Sequence, residues 1–129
     1  MRFLSSVAVL LAAVTIAACT TAPIMNVDNA AVANTAGKPL TAEQVRIAIV
    51  RAGAALGWQM KDEGPGKLTG TLNLRTHTAT IDIPYSASSY SIQYKSSTNL
   101  QESGGTIHKN YNGWIQNLTR GIAAQLALS

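Results

Sequence analysis

Two periods divide the chain. Around Leu40–Gly57, and again around Ile107–Leu126, apolar residues recur at three and four; between these stretches they alternate with polar ones. In the first stretch Val45, Ala48, Ile49, Ala52 and Leu56 fall on one helical face, with Arg46 off it. Thr41-Ala42-Glu43-Gln44 reads as a capping box, with Thr41 as N-cap and Gln44 at N3. Leu40 and Val45 occupy the two positions of a hydrophobic staple. Gly57 falls where a left-handed residue would end the helix. The pattern predicts a helix over 41–56. Gly53 inside it costs about 1 kcal/mol relative to alanine and permits a close approach to a sheet.

From Trp58 the period is two. Trp58 and Met60 flank Gln59, and Gly64-Pro65-Gly66 then breaks the chain. Leu68, Gly70, Leu72 and Leu74 share one face of the next segment, and Thr69, Thr71, Asn73 and Arg75 the other. Ala79, Ile81, Ile83 and Tyr85 repeat the pattern, opposed by Thr78, Thr80 and Asp82. Tyr90, Ile92 and Tyr94 repeat it again, opposed by Ser91, Gln93 and Lys95. A tight turn at Thr76-His77 would set Leu74 opposite Ala79 and Leu72 opposite Ile81. A Ser86–Ser89 loop would set Tyr85 opposite Tyr90. The first hairpin can set Trp58 opposite Gly70, with the indole over the glycine. Pro84 fits only where the ladder ends.

Ser96 to Gly105 reads as a polar loop. Ile107, Tyr111, Trp114, Ile115, Leu118, Ile122 and Leu126 then predict a second amphipathic helix over about 107–127, capped by Thr106 or Ser103. The expected fold is α+β: one small α-β-β-β-β-α domain over 40–129. Its four-stranded antiparallel meander carries both helices on its apolar face and leaves the other face wet.

Before this domain, Thr20–Pro39 is rich in Ala, Asn and Thr and reads as a flexible tether. Met25 and Val27 are its candidates for local packing. Ahead of it, Arg2 and the apolar run Phe3–Ala18 have the layout of a secretory signal. The run is shorter than the roughly 20 apolar residues of a membrane span. Ile16-Ala17-Ala18-Cys19 closes it and resembles the lipobox of bacterial lipoprotein precursors. The resemblance implies removal of residues 1–18, lipidation of Cys19 and membrane attachment through that lipid. Residue 20 is Thr rather than Asp, which by the same resemblance favours the outer membrane, facing the periplasm.

Composition then narrows the chemistry. The chain has 129 residues and one cysteine, so a lipidated Cys19 leaves no thiol for a disulfide, a metal site or a nucleophile. The formal charge of +4 falls to about +3 once Arg2 is removed, and the basic residues are scattered singly. No basic stripe for nucleic acid is present. His77 and His108 have no metal-ligand spacing, and no metal or other cofactor is expected. The serines lack a local base and a nucleophile elbow. Asp82 is the lone carboxylate of the outer sheet face. The expectation is a non-enzyme.

Two surfaces remain as candidates. Thr71, Asn73, Asp82, Gln93 and Lys95 would share the flat polar sheet face, beside an edge at 90–95 open to a partner strand. The competing reading is a merely solvated face. Trp58, Tyr85, Tyr94, Tyr111 and Trp114 would line a groove between helix and sheet, with an aromatic core as the competing reading. The functions in play are an envelope protein-interaction or assembly module, a binding module for wall glycan or a small apolar ligand, and a small hydrolase around His108.

Overall fold

A computed structural model describes residues 20–33 and 37–129. The signal segment and Cys19 lie outside the described residues. The elements are β1 (Thr21–Pro23), β2 (Val27–Ala31), α1 (Ala42–Ala55), β3 (Trp58–Asp62), β4 (Lys67–Leu74), β5 (His77–Pro84), β6 (Ser89–Thr98), β7 (Thr106–His108) and α2 (Lys109–Ala127). The α+β class is as expected. The sheet is five-stranded and antiparallel, in the order β2-β6-β5-β4-β3, and β1 pairs with β7 in a second, two-stranded sheet.

The first helix forms as its sequence dictates. Gln44 N donates to Thr41 Oγ1 at 3.1 Å, and Thr41 N donates to Gln44 Oε1 at 2.9 Å, closing the capping box. Gly57 takes φ +89° just past the end. Val45, Ala48, Ile49 and Ala52 are buried, and they meet Ile115, Leu118, Ile122 and Leu126 of α2 in one core with the sheet's inner face. Gly53 allows the close approach to β3: a Cβ there would overlap Met60 Cε and sit 3.3 Å from Trp58 Cβ. Gly121 lets α2 lie close over Ala52, whose Cβ would be 3.4 Å from an added methyl. Gly113 has no such role, because a Cβ there would meet nothing within 4 Å. Gly113→Ala is therefore expected to stabilise the domain by about 1 kcal/mol, seen as a rise of a few degrees in melting temperature.

The segment expected as a tether is instead built into the fold. β1 pairs with β7, Thr21 opposite His108, and β2 pairs with β6, Val27 opposite Ile92. Asparagines that resemble linker composition do the fastening. Asn112 Oδ1 accepts from Met25 N at 2.9 Å, and its Nδ2 donates to Pro23 O at 2.9 Å. Asn26 Oδ1 accepts from Tyr94 N at 2.9 Å. Asn29, at φ +50°, sits where β2 slips register against β6, and its N–H donates to Ser91 Oγ at 2.9 Å. Asparagine tolerates this left-handed conformation better than most residues. Ile24, Met25, Val27 and Val32 pack on the core. The 90–95 strand is consequently not an edge, because β2 covers it.

The register differs in detail from the expected one. The β4–β5 turn is at Arg75-Thr76, with Arg75 at φ +57°, so Leu74 faces His77, Leu72 faces Ala79 and Gly70 faces Ile81. The shift is by two residues. It keeps every inward residue inward and leaves Leu74 beyond the core, 45% exposed. Trp58 lies opposite Leu72, and Met60 takes the place over Gly70, where a Cβ would be 3.0 Å from its Sδ. Tyr85 does pair with Tyr90.

The last helix starts later than its apolar period indicates. Thr106–His108 is spent on β7, and the cap is His108, whose Nδ1 accepts from Asn110 N at 3.1 Å. That bond requires an unprotonated Nδ1. Thr106 Oγ1 donates instead to Ser103 O.

Candidate functional site

With both helices on one side, the other side of the five-stranded sheet is left open among the described residues. Its polar residues form rows across the strands. Thr69, Asp82 and Gln93 are successive partners on β4, β5 and β6, and the next row is Thr71, Thr80 and Ser96. Asn73 closes the far end, accepting a bond from Thr78 Oγ1 at 3.0 Å. Between these two rows β6 carries one extra residue, Lys95, because Thr80 faces Ser96 while Ile81 faces Tyr94. Such a bulge re-aims a side chain.

Asp82 is the electrostatic centre of this face. Its Oδ1 lies 3.8 Å from Lys95 Nζ and 3.9 Å from Lys67 Nζ. Both are long contacts, and neither is a hydrogen bond. Among the described residues Oδ1 is shielded from solvent with no hydrogen-bond partner, and so is Thr69 Oγ1 in the same row. Buried polar atoms of this kind are few in native folds and call for a reason. The lysines are about half exposed, so each pair contributes at most about 1 kcal/mol to stability.

Where β2 crosses the end of this face, its bulge and the 86–89 loop bound an open cleft of about 350 Å³. Asp28, Asn29, Tyr85, Ser89, Ser91 and Gln93 line it. On the sheet face itself Gln93 is the cross-strand partner of Asp82, whose carboxylate faces Lys95, with Thr71 one row away and Asn73 at the far end. Lys67 was not singled out beforehand, because only the β4–β5 register reveals that it shares Asp82 with Lys95. Asp28 and Asn29 were hidden in the segment read as a tether.

The aromatic groove does not form as one site. Tyr111 is fully buried and meets Tyr94 edge to face, with centroids 5.6 Å apart. Tyr94 OH pairs with Ser97 Oγ at 2.8 Å. Trp58 is core, and with Trp114, Leu56, Leu72 and Asn117 it borders a crevice of only about 50 Å³. Tyr85 stands apart at the polar cleft. The two histidines are engaged locally. His77 Nδ1 lies 2.6 Å from Asn99 O, so that nitrogen carries the proton, and His108 Nδ1 caps α2. Among the described residues no three metal-ligating side chains converge, and no helix is long and apolar enough to cross a membrane.

The chain matches no protein-family model, no curated protein and no solved structure closely enough to place it.

Proposed function

We propose that this chain is a lipid-anchored bacterial envelope protein, held through Cys19 at the outer membrane. In this reading its folded domain is a non-catalytic module that docks another envelope protein on the open sheet face. The observation that carries the docking is the Thr69–Asp82–Gln93 row. It holds a carboxylate oxygen, set between two lysines, and a hydroxyl that are both shielded and without hydrogen-bond partners among the described residues. A partner donor reaching Asp82 Oδ1 would complete a charge-assisted bond, and Lys67 and Lys95 are free to turn toward partner acids. The anchor rests on the lipobox-like Ile16-Ala17-Ala18-Cys19.

Photo-crosslinking residues at Thr71, Gln93 and Lys95 in living cells test the docking face. A discrete protein adduct is expected at each. Asp82→Lys should weaken that interaction by about tenfold or more, as truncating one member of an interfacial charge pair does. Asp82→Asn should leave the melting temperature within a few degrees, since the exposed pairs add little. No adduct above background at all three positions would remove this function.

A second reading rests on the cleft. Its volume of about 350 Å³ lies within the range of small-ligand sites, roughly 300–1,000 Å³, and its hydroxyl and amide lining suits a wall glycan. The 50 Å³ crevice at the tryptophans falls below that range and does not favour an apolar ligand. Muropeptide adducts confined to Gln93, with none at Thr71, would favour the glycan.

A further inference from the structure

The described residues begin one position after Cys19. Thr20 O accepts from Lys109 N at 2.9 Å, Thr20 Oγ1 contacts Gln101 Oε1 at 3.3 Å, and Thr21 pairs with His108. Thr20 is thus fastened beside the first turn of α2, and one peptide unit, about 3.8 Å between Cα atoms, separates it from position 19 in the sequence. A lipid on Cys19 would be attached one residue from this fastened strand.

The surface of α2 that shares this end has a distinct chemistry. Lys109, Gly113, Gln116 and Arg120 recur at four, three and four and share one face, on which Lys109, Gln116 and Arg120 are exposed and Gly113 is partly buried, flanked by Asn110 and Asn117. The helix has no Asp or Glu in its 19 residues, so its only charges are Lys109 and Arg120, both exposed. At 1.5 Å per residue they stand about 16 Å apart along the axis. Trp114 lies at the rim of this face, partly buried on the core, beside Asn110 and Asn117 on the helix. Lysine and arginine beside a partly buried indole are residue types found at headgroup level.

We infer that α2 lies with this face on an anionic lipid surface, clamped there by the lipid on Cys19. The inference rests on the anchored reading above and adds the orientation to it. The domain is flush with the bilayer rather than at the end of a leash. Lys109 and Arg120 meet lipid phosphates, and Trp114 marks the interface.

The test uses the full chain expressed in bacteria and purified from membranes, with acylation of Cys19 read by mass spectrometry. The protein is then reconstituted into brominated phosphatidylcholine vesicles with or without phosphatidylglycerol. Trp114 emission should be quenched on the anionic vesicles and much less on the zwitterionic ones. Trp114→Phe should abolish the quenching, because Trp58, 3% exposed, stays in the core. Lys109→Gln with Arg120→Gln should lower the ratio of docked to undocked protein roughly 25-fold, about fivefold per cation. An acylated Cys19 with unquenched Trp114 would overturn the docking and leave the anchor standing. An unmodified Cys19 would overturn the anchor itself, and the docking with it. A photo-crosslinker at Gln116 that captures a protein in cells rather than lipid would also overturn it.

Discussion

A chain beginning at Lys38 is expected to be less stable than one beginning at Thr20 by about 3–5 kcal/mol, or to aggregate. Truncation tolerance depends on the burial and hydrogen bonding of what is removed. The removed strands contribute Ile24, Met25, Val27 and Val32 to the core. Half-burying four such side chains is worth about 4 kcal/mol in all. Removal also leaves Ser91, 7% exposed, without the Asn29 N–H that its hydroxyl accepts, and Tyr94 N without Asn26 Oδ1. The amide of Asn112 loses both backbone partners. Ordering the segment costs entropy, so its net worth is well below the gross sum of these contacts. A 110-residue domain has only about 5–15 kcal/mol to lose. The truncated sheet would also expose β6, with Tyr90 and Ile92, as an unpaired edge open to other chains. Urea unfolding of the two chains decides the matter. Equal midpoints would mean that residues 20–33 are a tether after all.

This is also where reading from sequence alone falls short, and the cause is physical. Period-two alternation exposes a strand only when one of its faces is buried along several residues. β1 has three residues and β2 five, and their fastening comes from side-chain amides on both partners. Asn26, Asn29 and Asn112 have no period, and their bonds span 62 to 89 positions of chain. β7 was masked differently. Ile107 is four residues before Tyr111, so the helical period absorbs a residue that the fold uses in a strand. By contrast, the α1 cap, its staple and its Gly57 terminus are local, and each formed as its sequence requires. The inward residues of β4, β5 and β6 were legible for a related reason. A register error of two moves partners without turning any side chain over.

The candidate face divides along the same line. Asp82, Gln93, Thr71 and Lys95 were placed on it by alternation alone. That Asp82 lies between two lysines depends on register and on the one-residue bulge at Lys95, which no local pattern encodes. The aromatic groove failed because alternation gives the face but not the depth. Tyr94 and Tyr111 fill the space between helix and sheet themselves, and the tryptophans lie elsewhere along it.

Tyr111 separates two effects that a single substitution would confuse. Its ring is fully buried, edge to face with Tyr94, and its hydroxyl is buried with no hydrogen-bond partner among the described residues. Tyr111→Ala should lose about 3–5 kcal/mol, the usual cost of removing a buried aromatic ring. Tyr111→Phe keeps the ring and removes only the unpartnered hydroxyl, so it should be neutral or stabilise by about 1 kcal/mol. Alkaline unfolding gives an independent reading of the same hydroxyl. Burial, reinforced by the nearby Tyr94, pushes ionisation of Tyr111 well above its ordinary value, and burial pushes Tyr90 up as well. Above about pH 10 the unfolded chain gives up these protons while the folded one keeps them. The unfolded state then binds fewer protons, so stability is intact below pH 10. It falls above that value by at most about 1.4 kcal/mol per pH unit for each such tyrosine, until the folded-state hydroxyl itself ionises. Tyr111→Phe should remove the share due to Tyr111 and leave that of Tyr90. Below about pH 9 the wild-type and Phe curves should run parallel. A Phe variant as unstable as Ala would show that the hydroxyl, and not the ring, holds the two helices on the sheet. An unchanged alkaline slope would show that Tyr111 ionises as freely folded as unfolded.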